Sequence, residues 1–241
     1  MIKYCSFSDR HQTGNVSYMK WRIPLSVLLS VGFVSSSTCQ QADQLKNIGA
    51  KLSKGETTVS KVLSDASLMS LHSLTPFRDI IKQNARAEKI TLVTNNEPGT
   101  KITVKGIVVD RAGKPEANKL VYVYQTSSEG WYSDTAPHVL MNEGDRRHAR
   151  LFGYFKTAAD GKFEFSTVKP KGYPNSSLPA HIHIEIALAD NNIFISELLF
   201  DDDPRLTGDI RARAVSEKFI IARNSGTEKD PVYSYRIPID G

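Results

Sequence analysis

The sequence predicts a mainly-β protein, an antiparallel β-sandwich preceded by short N-terminal helices. Three observations carry that expectation. Apolar residues make up 40% of the 241 positions and charged residues 24%, enough to build a packed core. Between about residues 59 and 86 the apolar positions recur at helical spacing. After Asn95 the texture changes to short β-prone runs, each closed by a turn signal.

The elements follow in chain order. Residues 1–38 read as a leader. Within it, Lys20 and Arg22 precede an apolar run over 23–34, and small residues then lead directly to Cys39. Basic start, apolar middle and small end describe a secretory signal. The run is shorter than the about 20 residues that a membrane-spanning helix needs. Cys39 after small residues resembles a bacterial lipobox, with Ser36 where leucine is usual. The expectation is an exported lipoprotein, held to a membrane through lipidated Cys39 in the periplasm or at the cell surface. The residues before Met19 lack signal character, so translation is expected to start there rather than at Met1. Residues 39–58 are polar and read as a tether.

Residues 59–88 predict two short helices. Val62, Leu63, Ala66 and Met69 form one apolar face, and Phe77, Ile80 and Ile81 form another, with Pro76 opening the second helix. This pair is suited to packing on its own domain or on a partner, which leaves a homo-oligomer open. Residues 89–241 predict the sandwich. Its strands are expected over 102–109, 120–124, 162–165, 181–186 and 193–199, with a last one over 233–239. Pro98-Gly99, the segment 110–115, Asp160-Gly161 and Asn191-Asn192 supply the turns.

Charge and cysteine usage exclude several classes. The formal net charge is +5, and Lys3, Arg10, Lys20 and Arg22 against Asp9 place most of it in the leader. The remainder has no Lys/Arg run with interleaved aromatics, so no nucleic-acid partner is expected. The only cysteines are Cys5 and Cys39, which removes both a structural disulfide and a cysteine zinc site from the body of the domain.

The sharpest local feature is His181-Ile182-His183-Ile184-Glu185-Ile186. Alternate residues of a strand share a face, so His181, His183 and Glu185 point one way and the isoleucines the other. Two imidazoles at i and i+2 reach one metal ion. A His-x-His pair alone is as easily a solvated strand face. Its neighbours change that reading. Gly130-Trp131-Tyr132 lies upstream, and Gly172-Tyr173-Pro174 runs almost directly into Pro179-Ala180-His181-Ile182-His183. The segment 106–115 opens the region as a strand and turn. Taken in this order, over about residues 90–210, these motifs resemble the core of the intradiol ring-cleavage dioxygenases.

The resemblance implies an Fe(III) ion held by Tyr132, Tyr173, His181 and His183, with a catechol-like aromatic diol and O2 as substrates. It implies that Tyr173 and His183 are axial, that Tyr132 and His181 are equatorial, and that the substrate displaces Tyr173. The residue types suit the ion, because two anionic phenolates favour Fe(III) over Fe(II). A free phenol has a pKa of about 10, and a trivalent cation deprotonates it outright. Two positions depart from the family pattern. Leu178 stands where the family has an arginine, and Glu197 stands where it has a glutamine. Glu197 is expected to orient a ligand histidine or to act as a base, which makes it a catalytic candidate beside Tyr173.

Other residues are weighed against blander roles. Arg146, Arg147 and Arg150 precede the second β-rich stretch, where one of them is placed to replace the lost arginine or all are simply solvated. Trp131 and Tyr154 line an aromatic pocket or pack in the core. His138 and His148 have no partner spacing and read as surface residues. Two other functions compete. A non-catalytic surface module like the transthyretin-like or carboxypeptidase-regulatory-like sandwiches shares the 106–122 texture but gives no reason for the tyrosines. A cupin-type metalloenzyme needs a later glutamate and a third histidine that the sequence lacks.

Overall fold

The computed structural model describes residues 26–133 and 149–239. The signal start, the choice between Met1 and Met19, and His138, Arg146, Arg147 and His148 lie outside the described residues. The chain divides into two compact units, residues 1–42 and 43–241. Among the described residues no helix is long and apolar enough to cross a membrane.

Helix α1 (Ser26–Ser53) covers most of the stretch that reads as a tether. Leu45, Ile48 and Leu52 explain the difference. They recur at i, i+3 and i+7, and Ile48 and Leu52 are buried in the core with Leu45 packed beside them. Polar composition hid a narrow apolar stripe. Helix α2 (Val59–Leu63) starts at Thr58, whose side chain accepts from the Lys61 N–H at 3.2 Å. It stops because Asp65 caps a new 3-10 turn over 66–71, accepting from the Ser67 N–H at 2.9 Å. Helix α3 (Thr75–Gln83) has Pro76 in its first turn, as its sequence predicts. The helical stretch is therefore three pieces instead of two. Val59, Val62, Leu63, Phe77 and Ile81 all join the main core, so these helices pack on their own sheet.

Nine strands follow: β1 (Ile90–Thr91), β2 (Lys101–Val109), β3 (Leu120–Gln125), β4 (Leu151–Lys156), β5 (Lys162–Val168), β6 (His181–Ala187), β7 (Ile193–Phe200), β8 (Ile220–Asn224) and β9 (Val232–Pro238). They form one sheet in the order β1-β5-β2-β9-β8-β7-β6-β3-β4. The mainly-β expectation stands, but the sheet is mixed. The pairs β1/β5, β2/β9 and β7/β8 are parallel. Alternation and turn residues locate strands without fixing how distant ones pair. Between β7 and β8 the chain makes helix α4 (Gly208–Ser216), the kind of crossover that parallel neighbours need. Strand β8 then joins the two halves of the sheet. Its Ile220–Ala222 segment pairs with β7, and Arg223 and Asn224 pair with β9.

One core cluster draws on both halves, with Val104, Phe165 and Tyr233 from one and Phe152, Ile182 and Ile184 from the other. In β6 the three isoleucines are fully buried on this side. His181 and His183 are consigned by the two-residue period to the opposite face, where the loops after β3 and β5 gather.

Candidate metal centre

Register places the site. In β6, His183 lies opposite Tyr124 of β3 and opposite Glu197 of β7, and His181 lies opposite Leu199. The Tyr124 ring stacks on the His183 imidazole with centroids 4.4 Å apart and an interplanar angle of 14°. At the strand's entrance the Ala180 N–H donates to the Asp203 carboxylate at 2.7 Å.

The two tyrosine loops are stitched together before they reach the histidines. The Thr126 hydroxyl donates to the Lys171 carbonyl at 2.7 Å, and the Lys171 N–H donates to the Ser127 carbonyl at 3.1 Å. Gly130 adopts φ +85°, and an added Cβ there would stand 2.6 Å from the Gly172 carbonyl oxygen. Each Gly-x-Tyr motif thus owes its glycine to close backbone approach. The Arg150 N–H donates to the Tyr132 carbonyl at 2.8 Å and carries the chain into β4.

Four donor atoms converge. The Tyr132 hydroxyl lies 2.8 Å from the Tyr173 hydroxyl and 2.8 Å from His183 Nε2. The Tyr173 hydroxyl lies 3.0 Å from His181 Nε2 and 3.4 Å from His183 Nε2. Tyr132, His181 and His183 are buried, and Tyr173 is half-buried. The His181 ring is held in one tautomer. Its Nδ1 meets the Pro179 carbonyl at 2.9 Å, which accepts, so Nδ1 carries the hydrogen and Nε2 turns its lone pair inward. His183 Nδ1 faces Glu197 Oε1 at 3.6 Å.

Two phenol oxygens and two imidazole nitrogens thus crowd one small space, 2.8–3.4 Å from their neighbours. Each carries a lone pair that a central cation would take up. Burial pushes the Tyr132 phenol well above its ordinary pKa, with the Tyr173 oxygen adding to the rise. Without a cation the Tyr132 phenol stays neutral, and a trivalent ion would turn it into a phenolate. The donor set therefore fits Fe(III). His181, His183 and Glu197 also form the group of imidazole and carboxylate ligands whose atoms lie within 4.8 Å of one another.

The other sequence candidates fall elsewhere. The Arg150 guanidinium forms a two-bond pair with the Glu97 carboxylate, with Nη2 to Oε1 at 2.8 Å. Trp131 lines a separate cleft with Glu97 and Pro98, and Tyr154 stacks on Tyr122 at 4.3 Å beside the core. Glu185 lies opposite Tyr122 and Ile195 and is not part of the ligand group. Two contributors escaped the sequence reading. Tyr124 was legible only as a strand residue, because its place over His183 depends on register. Helix α4 was missed altogether. Its Ile210, Arg213 and Ala214 line the cleft beside Tyr173, Leu178, His181, His183 and Glu197, and its one sequence signal is the Ile210/Ala214 spacing after Gly208.

A family model described as Dioxygenase matches residues 79–241. Among curated relatives, the protocatechuate 3,4-dioxygenase beta chain of Burkholderia cepacia is 34% identical over 131 residues, covering 48% of this chain and 52% of that protein. Catechol 1,2-dioxygenase 1 of Acinetobacter lwoffii is 27% identical over 144 residues, covering 53% and 44%. The chain thus spans about half the length of the curated relatives it matches. Among solved structures, the dioxygenase domain of a dioxygenase carbohydrate-binding protein fusion from Streptomyces sp. SirexAA-E has 24% identity and a TM-score of 0.49, over 65% of this chain and 89% of that one. With the family model covering well over half its length, the chain belongs to the intradiol ring-cleavage dioxygenase family.

Proposed function

We propose that the protein opens the ring of a catechol-like diol with O2, using Fe(III) held by Tyr132, Tyr173, His181 and His183. The observation that carries this reading is the convergence of two phenol oxygens and two imidazole nitrogens on one largely buried space. A non-catalytic sandwich module has no use for such a cluster. Held by these residues, Fe(III) would supply the chemistry that lets a bound diol react with O2 and open between its hydroxyl-bearing carbons.

The chain's own residues divide the remaining work. Tyr132, the more buried phenol, and the two imidazoles fix the ion. Tyr173 lines the open cleft and is the donor that would meet an entering substrate oxygen. A diol that binds through both oxygens must lose two protons. Tyr173 Oη would take one, and Glu197, which lines the same cleft, would be the carboxylate base for the other. Leu199 and Phe219 wall the cleft and exclude water from the reacting face.

Phenolate bound to Fe(III) absorbs visible light by ligand-to-metal charge transfer, so the iron-loaded protein should be coloured. Tyr132→Phe keeps the ring but removes the donor oxygen. It should lower the band and weaken iron binding by at least about tenfold while leaving the fold intact. A colourless protein that takes up no iron after reconstitution would overturn the proposal.

We propose further that the chain is exported and carries lipid on Cys39. The support is the order of basic, apolar and small residues before that cysteine, together with its exposed, unbridged thiol.

A further inference from the structure

The His181 imidazole is held from behind. Its Nε2 lies 3.0 Å from the Tyr173 hydroxyl, and its Nδ1–H donates to the Pro179 carbonyl at 2.9 Å. That carbonyl belongs to the peptide unit joining Pro179 to Ala180. The N–H of the same unit donates to Asp203 Oδ2 at 2.7 Å. The C=O and N–H of a trans peptide point in opposite directions, so one unit accepts at one end and donates at the other. A carboxylate, a single peptide group and an imidazole thus form one line of hydrogen bonds that ends at a donor nitrogen.

Asp203 is fixed in place for this contact. It lies in the turn between β7 and α4, where its N–H donates to the Phe200 carbonyl at 3.0 Å and its Oδ1 accepts from the Arg205 N–H at 2.7 Å. Arg205 Nη1 donates to the Leu178 carbonyl at 3.4 Å, so the turn grips the chain on both sides of Pro179. The Tyr173 loop packs on the same grip. A Cβ added to Gly172 would collide with the Leu178 carbonyl oxygen and stand 2.9 Å from Arg205 Nη1. An anion that accepts from a peptide N–H polarises the group and makes its carbonyl the better acceptor. The stronger carbonyl holds the hydrogen on Nδ1 and raises electron density at Nε2, as a carboxylate does when it meets a ligand histidine directly. His183 has a carboxylate directly behind it, Glu197 at 3.6 Å from Nδ1. For His181 the charge arrives through one peptide.

We propose that Asp203 is a positioning residue of the metal centre, which fixes the His181 tautomer and strengthens Nε2 as a donor through the Pro179–Ala180 peptide. The inference rests on the Fe(III) reading above and adds a residue to it. Nitrogen-15 NMR of the iron-free full chain reads the His181 ring, assigned by its loss in His181→Ala. Iron affinity and the visible band are read after reconstitution. Asp203→Asn keeps size and one acceptor oxygen but removes the charge. It should move the Nδ1–H proton resonance upfield, cut Fe(III) affinity about tenfold and shift the band to longer wavelength. Asp202→Asn is the control, since this neighbouring carboxylate bonds Lys169 and Tyr233 instead. It should leave all three readouts in place, whatever it does to the unfolding midpoint. If Asp203→Asn lowers the midpoint but leaves the ring resonances, affinity and band unmoved, or if Asp202→Asn moves them equally, the inference is overturned and Asp203 is only structural. A wild type that takes up no iron would defeat the Fe(III) reading, and the ring resonances of the iron-free protein would then decide on Asp203 alone.

Discussion

At Gly130 a single methyl group would press on the Gly172 carbonyl oxygen from 2.6 Å, in a backbone conformation of φ +85° that L residues avoid. The strain would fall on both loops that carry the tyrosines. Gly130→Ala should therefore cost about 1–3 kcal/mol and also weaken iron binding, where a remote substitution of equal cost would not. Denaturant midpoints with and without iron measure the two effects separately. Glu197 calls for a different readout. Its carboxylate stands behind the His183 imidazole, partly exposed and opposite it across the strands. Glu197→Gln removes that negative charge while keeping size and hydrogen bonding. It should cut iron affinity by about tenfold and move the charge-transfer band to longer wavelength, because the metal becomes the better electron acceptor. Stability should change by less than about 0.5 kcal/mol. An unmoved band would mark Glu197 as a bystander.

The helical elements bear on the site through one buried residue. His72 ends the 3-10 turn and is fully buried, stacked on Phe77 at 5.0 Å and edge-on to Phe152 at 5.5 Å. Its Nδ1–H donates to the Arg150 carbonyl at 2.8 Å, and the Arg150 N–H in turn holds the Tyr132 carbonyl. The helices thus grip the strand that anchors one metal ligand. Burial lowers the His72 pKa below its ordinary value, and the Arg150 charge adds to the effect. The sign follows from proton counting. Below about pH 6.5 the unfolded chain takes up a proton that the folded protein refuses. His72 therefore supports the fold fully above that pH, and the support is lost as pH falls toward the lowered folded value. His72→Asn retains an N–H for the Arg150 carbonyl and removes the titration. Thermal unfolding of the iron-free protein between pH 5 and 8 should lose stability on acidification, and the variant should show a shallower loss. Parallel curves would place the acid sensitivity elsewhere.

For the whole molecule, the tests concern location and the mixed sheet. If Cys39 carries lipid, the wild type should sediment with membranes, and Cys39→Ala should appear in the soluble fraction or remain unprocessed. A full-length precursor found soluble in both cases would remove the export proposal. The sheet itself explains why the site is placed where it is. Strands β3, β6 and β7 are neighbours, which brings Tyr124, His183 and Glu197 into one row. The β7–α4–β8 crossover then folds Ile210 and Arg213 over the end of that row.

The sequence by itself determined the local features. Alternation in 181–186 assigned the histidines to one face and the isoleucines to the core, because side chains of a strand alternate regardless of what lies beside it. The Gly-x-Tyr and His-x-His motifs named the four donor candidates through the family resemblance that they carry in that order. Pro76 marked the start of α3 for an equally local reason. Only the tertiary structure decided the rest. Parallel pairing, the helical stripe of Leu45, Ile48 and Leu52 within a polar segment, the pairing of Arg150 with Glu97, and the arrival of Tyr124 and Arg213 beside the donors all join residues far apart in sequence or depend on a partner surface. Such contacts are settled by which surfaces bury each other, and no short window of sequence contains both sides.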